Sequence, residues 1–186
     1  MSRARAPLRR RQAPGHSSPW TLGSRLRAIV WELAWTLLCR WTPKPANPWR
    51  LLVLRLFGAR IVGVPFVHQR ARIQFPWQVE LHDRASIGDR ANLYSLDRIT
   101  LHPGALVAQE AYLCAGTHDW QDAEWPLLTA PIVVGERAVV GARAFVMPGV
   151  TLGPRALVGA MSVVTRDVAP GETVVGNPAR PVSRPR

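Results

Sequence analysis

Cysteine is scarce in this chain, and acidic residues are nearly missing from its first third. Two cysteines among 186 residues cannot build a disulfide framework, so a reducing compartment is expected. Residues 1–60 contain 12 of the 24 basic side chains but only one of the 12 acidic ones, Glu32. The excess positive charge therefore belongs to the N-terminal third and says little about the remainder of the chain.

Long apolar runs are also absent. The arginine triplet at 9–11 is followed by QAPGHSSP rather than by an apolar segment, which argues against a secretory signal. The apolar stretches within residues 25–41 are much shorter than the ~20 residues that a membrane-spanning helix needs. No nucleic-acid-binding motif accompanies the basic residues, so no nucleic acid partner is expected.

The N-terminal third divides into an arm and a helical segment. Residues 1–22 are rich in Arg, Pro, Gly and Ser, and this composition predicts a disordered basic arm. Within a helical segment over 23–60, apolar spacing predicts a helix over 25–41, and Asn47 followed by Pro48 predicts the N-cap of a second helix. These tryptophan- and arginine-rich helices pack on the main domain or on a neighbouring subunit, or they make a peripheral contact with an anionic membrane. The sequence leaves these alternatives open.

The strongest pattern in the sequence is a period of six residues. From position 134 the chain divides into VGERAV, VGARAF, VMPGVT, LGPRAL, VGAMSV and VTRDVA. The first position is always aliphatic, and the fifth is always small or β-branched. This period fits neither a helix nor an alternating strand, but it fits a triangular parallel β-solenoid with one short strand per hexapeptide. We therefore predict an all-β solenoid over 61–176, followed by a C-terminal tail over 177–186.

The six-residue period stops once, directly after His118. Residues 119–131 cannot be divided into sixes, so they are predicted to leave the solenoid as an outward loop. Excursions of this length from a regular scaffold are commonly functional. His118, at the root of the loop, is therefore a candidate for chemistry, although a single histidine is ordinarily a solvated or hydrogen-bonded bystander.

Several segments resemble the hexapeptide-repeat acetyltransferases of the left-handed β-helix class: APIVVGE, VMPGVTLG, VVTRDV and GNPARPV. LLVLRLFGARI, FPWQVELHDRASIGDRANLYSLDRITL and CAGTHDW resemble most closely the colanic acid (exopolysaccharide) O-acetyltransferase branch, and the likeness spans about 48–182. The resemblance implies a left-handed parallel β-helix, a homotrimer and a cytoplasmic location, with the inner face of the membrane as an alternative site. It implies transfer of an acetyl group from acetyl-coenzyme A to a hydroxyl of a sugar or polysaccharide precursor, with no metal.

The resemblance also implies roles for individual residues. His118 would be the general base, because histidine exchanges protons near neutral pH. Asn92 and Asp97 match the acceptor side of relatives. A backbone N–H near Gly141 and Ala142 would meet the oxyanion, and arginines of the last coil would meet the phosphates of the coenzyme. The implied coenzyme-binding residues are Gly141, Ala142, Ala160, Thr165, Arg166 and Arg180.

Three rival interpretations follow from the same residues. Cys114 could be a nucleophile, but no activating partner is evident beside it. A metal hydratase similar to the γ-class carbonic anhydrases would need three imidazoles, and His82, His102 and His118 are separated by 20 and 16 residues. The third alternative is a non-catalytic solenoid that acts as a scaffold at a membrane through its N-terminal helices.

Overall fold

The computed structural model describes residues 6–10 and 18–182, without the side chain of residue 10. Two α-helices, α1 (Leu22–Leu38) and α2 (Asn47–Leu56), precede the solenoid, and short 3-10 helices cover Lys44–Ala46 and Pro76–Gln78. The strands of the first half are β1 (Arg9–Arg10), β2 (Arg60–Ile61), β3 (Phe66–Val67), β4 (Arg72–Ile73), β5 (Val79–Leu81), β6 (Ser86–Ile87), β7 (Asn92–Tyr94), β8 (Ile99–Leu101), β9 (Leu106–Val107) and β10 (Tyr112–Cys114). Those of the second half are β11 (Gly116–His118), β12 (Leu127–Thr129), β13 (Ile132–Val134), β14 (Val139–Val140), β15 (Phe145–Val146), β16 (Thr151–Leu152), β17 (Leu157–Val158), β18 (Val163–Val164), β19 (Thr173–Val175) and β20 (Arg180–Pro181).

The strands form three parallel walls of a triangular column of about six coils. The first wall contains β2, β5, β8, β13 and β16, and the third contains β4, β7, β10, β15 and β18. The second wall contains β3, β6, β9, β14, β17 and β19, with β20 antiparallel at its end. The predicted solenoid is therefore confirmed, and it matches the left-handed parallel β-helix that the resemblance implied.

The inside of the column is filled by the repeat positions that the sequence singled out. The aliphatic first positions from Val134 to Val164 are at most 2% exposed, and the small fifth positions from Ala138 to Val168 are at most 4% exposed. Each inward side chain stacks on its equivalent one coil away, as the pairing of Val140 with Val107 and Val158 shows. The apolar core is therefore continuous along the axis, and each coil depends on its neighbours for burial.

The N-terminal helices close the open end of the first coil. A parallel ladder leaves backbone groups unpaired at its end, and here side chains of the helical segment take the place of a missing coil. The Trp31 and Trp35 indole N–H groups donate to the carbonyls of Ile73 and Ala71 at 2.7 and 3.1 Å. The Asn47 Oδ1 accepts from the backbone N–H of Val67 at 3.0 Å. The helical segment is therefore a cap on the column.

Arg50 is the buried centre of this cap. The guanidinium is fully buried and donates to the carbonyls of Val67, Pro43 and Lys44 and to the Thr42 hydroxyl, at 2.8–2.9 Å. Burial lowers the pKa of the guanidinium from its ordinary value. Four of its five N–H donors are used, so Arg50 joins α2, the preceding loop and the first coil.

The N-terminal segment differs from the sequence expectation in three places. The first helix covers 22–38 rather than 25–41. It begins earlier because the Thr21 hydroxyl accepts from the Ser24 N–H and so provides the N-cap. Asn47 is not an N-cap; Ala46 precedes the helix, while the Asn47 side chain bonds to the first coil. Arg9 and Arg10, expected within a disordered arm, form β1 and pair with β12. The rest of that expectation, at 1–5 and 11–17, lies outside the described residues.

None of the helices in the described chain is both long enough and apolar enough to cross a membrane.

We predict that Arg50→Met lowers the free energy of unfolding by about 3 kcal/mol or more, because it leaves buried carbonyls without donors. Urea unfolding followed by circular dichroism measures this change. Arg55→Met, an exposed position on the same helix, is the matched control and should change stability by less than about 0.5 kcal/mol. Equal effects of the two substitutions would contradict the role of Arg50 as the centre of the cap.

Candidate active site

The interruption of the repeat is a β-hairpin that leaves the column at the end of the third wall. β11 and β12 pair antiparallel, with Gly116 opposite Thr129 and His118 opposite Leu127. A Cβ atom at Gly116 would lie 2.7 Å from Cδ1 of Leu96, so glycine leaves room here for the Leu96 side chain. The excursion is therefore more ordered than the expected loop over 119–131, and its unpaired tip covers only 119–126.

The tip of the hairpin is organised by its own polar groups. The Asp119 N–H donates to the Pro126 carbonyl, and the Asp119 carboxylate accepts from the Gln121 N–H at 3.1 Å. The Asp122 carboxylate accepts from the Glu124 N–H at 3.0 Å, and the Asp122 carbonyl accepts from the Trp125 N–H at 2.9 Å. These turns fix the direction of the backbone at the end of the tip.

One carbonyl of that tip fixes the imidazole of His118. The Nδ1 atom lies 2.7 Å from the carbonyl oxygen of Trp125, whose φ of 48° is in the left-handed region. A carbonyl can only accept, so Nδ1 carries the proton in the neutral ring. The lone pair of the neutral imidazole is then on Nε2, and the exposed ring can accept a proton there.

His118 lines a cavity of about 530 Å³ that the cap shares with the solenoid. Aromatic rings form much of its wall, and Trp20 and Phe75 meet edge to face with their centroids 4.9 Å apart. Polar groups are contributed by both the first helix and the first coil. The lining residues are Pro19, Trp20, Ser24, Arg25, Ala28, Ile29, Gln74, Phe75, Tyr94, Leu96, His118 and Leu127.

The sequence did not predict that α1 would contribute to this cavity. Arg25 and Ala28 reach it only because α1 lies across the end of the column, and no repeat break marks that contact. The signal in the sequence that could have indicated this contact is a pair of aromatic residues, Phe75 and Trp77. They stand at a turn of the solenoid, where side chains are usually exposed to solvent. They stack with their centroids 5.0 Å apart.

The two expected acceptor-side residues are placed differently from each other. Asn92 faces outward on the third wall, between Arg72 and Tyr112 of the adjacent coils. Asp97 is buried, and its carboxylate accepts from the Thr129 hydroxyl at 3.0 Å. Asp97 therefore holds the base of the hairpin that carries His118. The residues of this stretch that line the cavity are Tyr94 and Leu96.

Cys114 does not have the environment of a nucleophile. Burial raises the pKa of its thiol, and Sγ donates to the Gly116 carbonyl at 3.0 Å. A reactive cysteine needs the opposite shift, toward the thiolate.

Gly141, Ala142 and Ala160 lie together at the corner between the second and third walls. The Gly141 N–H donates to the Val158 carbonyl, and the Ala142 carbonyl accepts from the Met161 N–H. The Gly141 N–H therefore cannot also meet an oxyanion. Among the described residues, the Ala142 N–H has no hydrogen-bond acceptor, and it remains the candidate at this corner.

The expected phosphate-binding arginines lie at the far end of the column. Arg166 and Arg180 are both exposed, and both line a second cavity of about 980 Å³ around the last coils. Thr165 is half-buried and precedes Arg166 at the corner where β18 ends. The cavity thus brings together two arginines that are 14 residues apart in the sequence. The carboxylates of Glu136, Asp167 and Glu172 also line it.

His82, His102 and His118 do not come together within the described chain. His82 and His102 stack with their ring centroids 5.2 Å apart on one side of the column, and the His82 Nε2 lies 2.8 Å from the Glu80 carboxylate. His118 leaves from a different corner, after the third wall. Within residues 6–10 and 18–182, no group of three or more His, Cys, Asp or Glu side chains is arranged to hold a metal ion.

His118 and Ala142 of one chain occupy different corners. The hairpin leaves after the third wall, whereas Ala142 follows the second wall. Each coil of the column places its third wall between these two corners. Within one chain, His118 and the Ala142 N–H therefore lie at opposite edges of that wall.

Comparison with known proteins points to one family. A family profile described as bacterial transferase hexapeptide (six repeats) matches residues 131–166. The putative colanic acid biosynthesis acetyltransferase WcaF of Escherichia coli is 35% identical over 157 residues, which cover 84% of this chain and 86% of that protein. Nodulation protein L of Rhizobium meliloti is 38% identical over 103 residues, 55% of this chain and 47% of that protein.

Solved structures share the whole architecture at lower identity. A hexapeptide-repeat acetyltransferase of Vibrio cholerae, also solved with acetyl-coenzyme A, has a TM-score of 0.79 at 20% identity, over 88% of this chain and 93% of that one. A maltose O-acetyltransferase of Clostridium difficile has a TM-score of 0.73 at 21% identity, over 87% and 88%. These likenesses establish the fold.

We predict that neutral His118 exists as the Nδ1–H tautomer, because the Trp125 carbonyl can accept only a proton-bearing nitrogen. Long-range 15N–1H correlation spectra report the protonation of both ring nitrogens. The signals of His118 are those that disappear from the spectrum of His118→Asn. A proton on Nε2 instead would contradict the geometry of the site.

Proposed function

Because this chain belongs to the bacterial hexapeptide-repeat acetyltransferases, we propose that it transfers an acetyl group from acetyl-coenzyme A to a hydroxyl of a sugar or polysaccharide precursor. Its relative in Escherichia coli is named as a putative acetyltransferase of colanic acid biosynthesis. The observation that supports the proposal best is the hydrogen bond from His118 Nδ1 to the Trp125 carbonyl, because it leaves Nε2 ready to accept a proton.

His118 acts as the general base. Nε2 takes the proton of the acceptor hydroxyl while the oxygen attacks the thioester carbonyl, and the collapse of the tetrahedral intermediate breaks the C–S bond. The departing thiolate then takes the proton from Nε2, which returns the imidazole to its starting tautomer. A positioned base of this kind contributes about 10²–10⁴-fold to the rate. The Trp125 carbonyl also stabilises the imidazolium that forms in between.

The cavity beside His118 suits a sugar. Trp20, Phe75 and Tyr94 present aromatic faces and edges to it, and Ser24, Arg25 and Gln74 add groups that can hydrogen-bond to hydroxyls. Sugar sites combine apolar ring faces with a few fixed polar groups in this way. Asn92 lies one outward position before Tyr94 on the same strand and extends this surface along the strand, toward the corner with the second wall.

The coenzyme extends from the acetyl group toward the end of the column. Ala142 and Ala160 present small side chains at their corner, where the pantetheine arm can lie against backbone, and the Ala142 N–H meets the oxyanion. At the last coils, Thr165, Arg166 and Arg180 face the phosphates, which arginine binds through charge-assisted hydrogen bonds.

The separation of the two corners supports a homotrimer. The base of one chain and the Ala142 corner of the same chain are a wall apart, so a complete site needs a second copy to bring its Ala142 corner to the first copy's hairpin. Three parallel columns around a threefold axis form three such sites. We place the enzyme in the cytoplasm, where acetyl-coenzyme A is available.

We predict that His118→Asn lowers kcat by about 10²–10⁴-fold, because the amide can still donate to the Trp125 carbonyl but cannot take a proton. Release of free thiol from acetyl-coenzyme A, measured with oligosaccharide acceptors, follows the reaction. The variant should unfold at the temperature of the parent protein.

The matched control for this substitution is Cys114→Ala, which removes the other nucleophilic side chain near the hairpin. It should keep kcat within about threefold of the parent, since its thiol is half-buried and its pKa is raised, which keeps it protonated. Full activity of His118→Asn, or loss of activity in Cys114→Ala, would refute the assignment of the base.

We predict that Arg166→Gln and Arg180→Gln each raise the KM for acetyl-coenzyme A by about three- to tenfold, with kcat unchanged. The effect is modest because both guanidinium groups are exposed. Arg155→Gln removes an exposed arginine that does not line the cavity and should leave KM unchanged. A rise of the same size in Arg155→Gln would show that net charge, rather than contact, sets the KM.

A further inference from the structure

The cap presents a large apolar surface to solvent. α1 exposes a stripe of aliphatic side chains at helical spacing, and it continues onto the connecting loop and α2. Most members are more than half exposed. We call this surface the outer face, and it consists of Leu22, Leu26, Ile29, Val30, Leu33, Leu37, Trp41, Trp49, Leu52 and Leu56.

α1 is apolar on two opposite sides. One side packs on the column through Trp31, Trp35 and the half-buried Ala28. The outer face occupies the opposite side, and only a narrow polar stripe with Arg25 and Glu32 separates the two. A helix that is apolar on both sides is normally covered on both. In the isolated chain, the column covers only one of them.

The outer face lies at one end of the column and points away from it. The buried side of α1 bonds to the first coil, through the indoles of Trp31 and Trp35, and so closes the end of the ladder. The side opposite these contacts therefore points away from the coils. A docked partner on this side would leave the rest of the column free.

The surroundings of the outer face are basic. Between residues 18 and 58 the single acidic side chain is Glu32, whereas Arg25, Arg40, Lys44 and Arg55 are all exposed. The indole N–H groups of Trp41 and Trp49 donate to carbonyls at the end of α1, at 2.7 and 2.8 Å. These hydrogen bonds hold the two rings at the rim of the apolar stripe, and they already satisfy the indole N–H groups.

These features favour one occupant. Outside the described residues, at 1–5, 11–17 and 183–186, the sequence contains a single large apolar residue, Met1. A second copy docked face to face would bring the same positive rims together. An anionic lipid surface instead neutralises the rim and accepts the apolar stripe and the tryptophans at its interface.

The cavity of His118 begins at this same face. Arg25 and Ile29 line it from α1, while His118 lies on the third coil, about two strand spacings or 10 Å above the first. A sugar joined through a phosphate to a lipid could keep the phosphate near Arg25 at the surface and reach Nε2 with a hydroxyl.

We propose that the outer face binds the surface of an anionic bilayer, and that the acceptor is a phosphate-linked glycolipid presented from that surface. The part about the acceptor rests on the proposed acetyltransferase function, whereas the binding of the bilayer does not. Three parallel copies present three outer faces in one plane, which strengthens binding by multivalency.

Vesicle sedimentation of the full chain tests the bilayer contact without any substrate. The parent protein should sediment with vesicles that contain phosphatidylglycerol, much less with phosphatidylcholine alone, and less at high salt. The double substitution Leu26→Glu with Leu33→Glu should weaken binding by more than about tenfold, since both side chains are exposed members of the outer face.

The control is Val182→Glu, which puts an acidic group at another exposed apolar position, near the opposite end of the column. It should bind vesicles as the parent does. Equal binding by the parent and the double variant, or no binding by the parent, would overturn the proposal. A change of molecular mass in the double variant, measured by light scattering, would assign the outer face to a contact between copies and would also overturn it.

Turnover rates with two acceptors distinguish the proposal about the glycolipid from the proposal about the acetyltransferase reaction. The double variant should acetylate a soluble oligosaccharide at the parental rate but a glycolipid embedded in vesicles at least about tenfold more slowly. If the double variant matched the parent with the embedded glycolipid as well, the proposal of a glycolipid acceptor would be refuted. Loss of thiol release with every acceptor, in parent and variant alike, would count against the acetyltransferase and leave the vesicle binding standing.

Discussion

The hydrogen-bond ladder between successive coils is the constraint on which the rest of this structure depends. Each coil of a solenoid is too thin to bury its own aliphatic side chains, and its backbone groups point toward the coils above and below. At each end of the column, other groups therefore have to pair with the backbone N–H and C=O groups of the last coil. At the N-terminal end, the replacement is made of side chains: Asn47, Arg50, Trp31 and Trp35 bond to the first coil in place of a strand.

The same constraint explains the form of the candidate active site. A wall of stacked strands is flat and offers no pocket, and an insertion cannot enter the column without breaking the ladder. The chain leaves outward at Gly116, pairs with itself as a hairpin and returns to the next coil through Ala130, which donates to the Ala115 carbonyl. The hairpin thus contributes both the imidazole of His118 and the carbonyl of Trp125 that fixes its tautomer. The proposed base and the group that orients it therefore come from the same hairpin.

The cap and the hairpin meet at one corner, and the proposed acceptor site is the space between them. α1 contributes Ser24, Arg25, Ala28 and Ile29 to the cavity because its inner side lies against the first coil. Its outer side then remains exposed at the end of the column. The proposed donor site lies elsewhere, along the Ala142 corner and the last coils, where the arginines are. The closed end of the column, the proposed acceptor site and the apolar outer face all follow from this one capping segment.

The sequence by itself determined the column, the point of interruption and the catalytic candidate. A strict period of six specifies which side chains point inward, because burial leaves one solution for aliphatic first positions such as Val140, and it marks His118 where the period ends. It did not determine the cap: Asn47 looked like an N-cap, and only the fold shows that its amide bonds to the first coil. Nor could it identify the Trp125 carbonyl, the contribution of α1 to the cavity or the buried role of Asp97, since these depend on contacts between residues far apart in the chain. The period of six specifies the repeating backbone of the column. The contacts of the cap and of the hairpin depend instead on which residues the fold brings together.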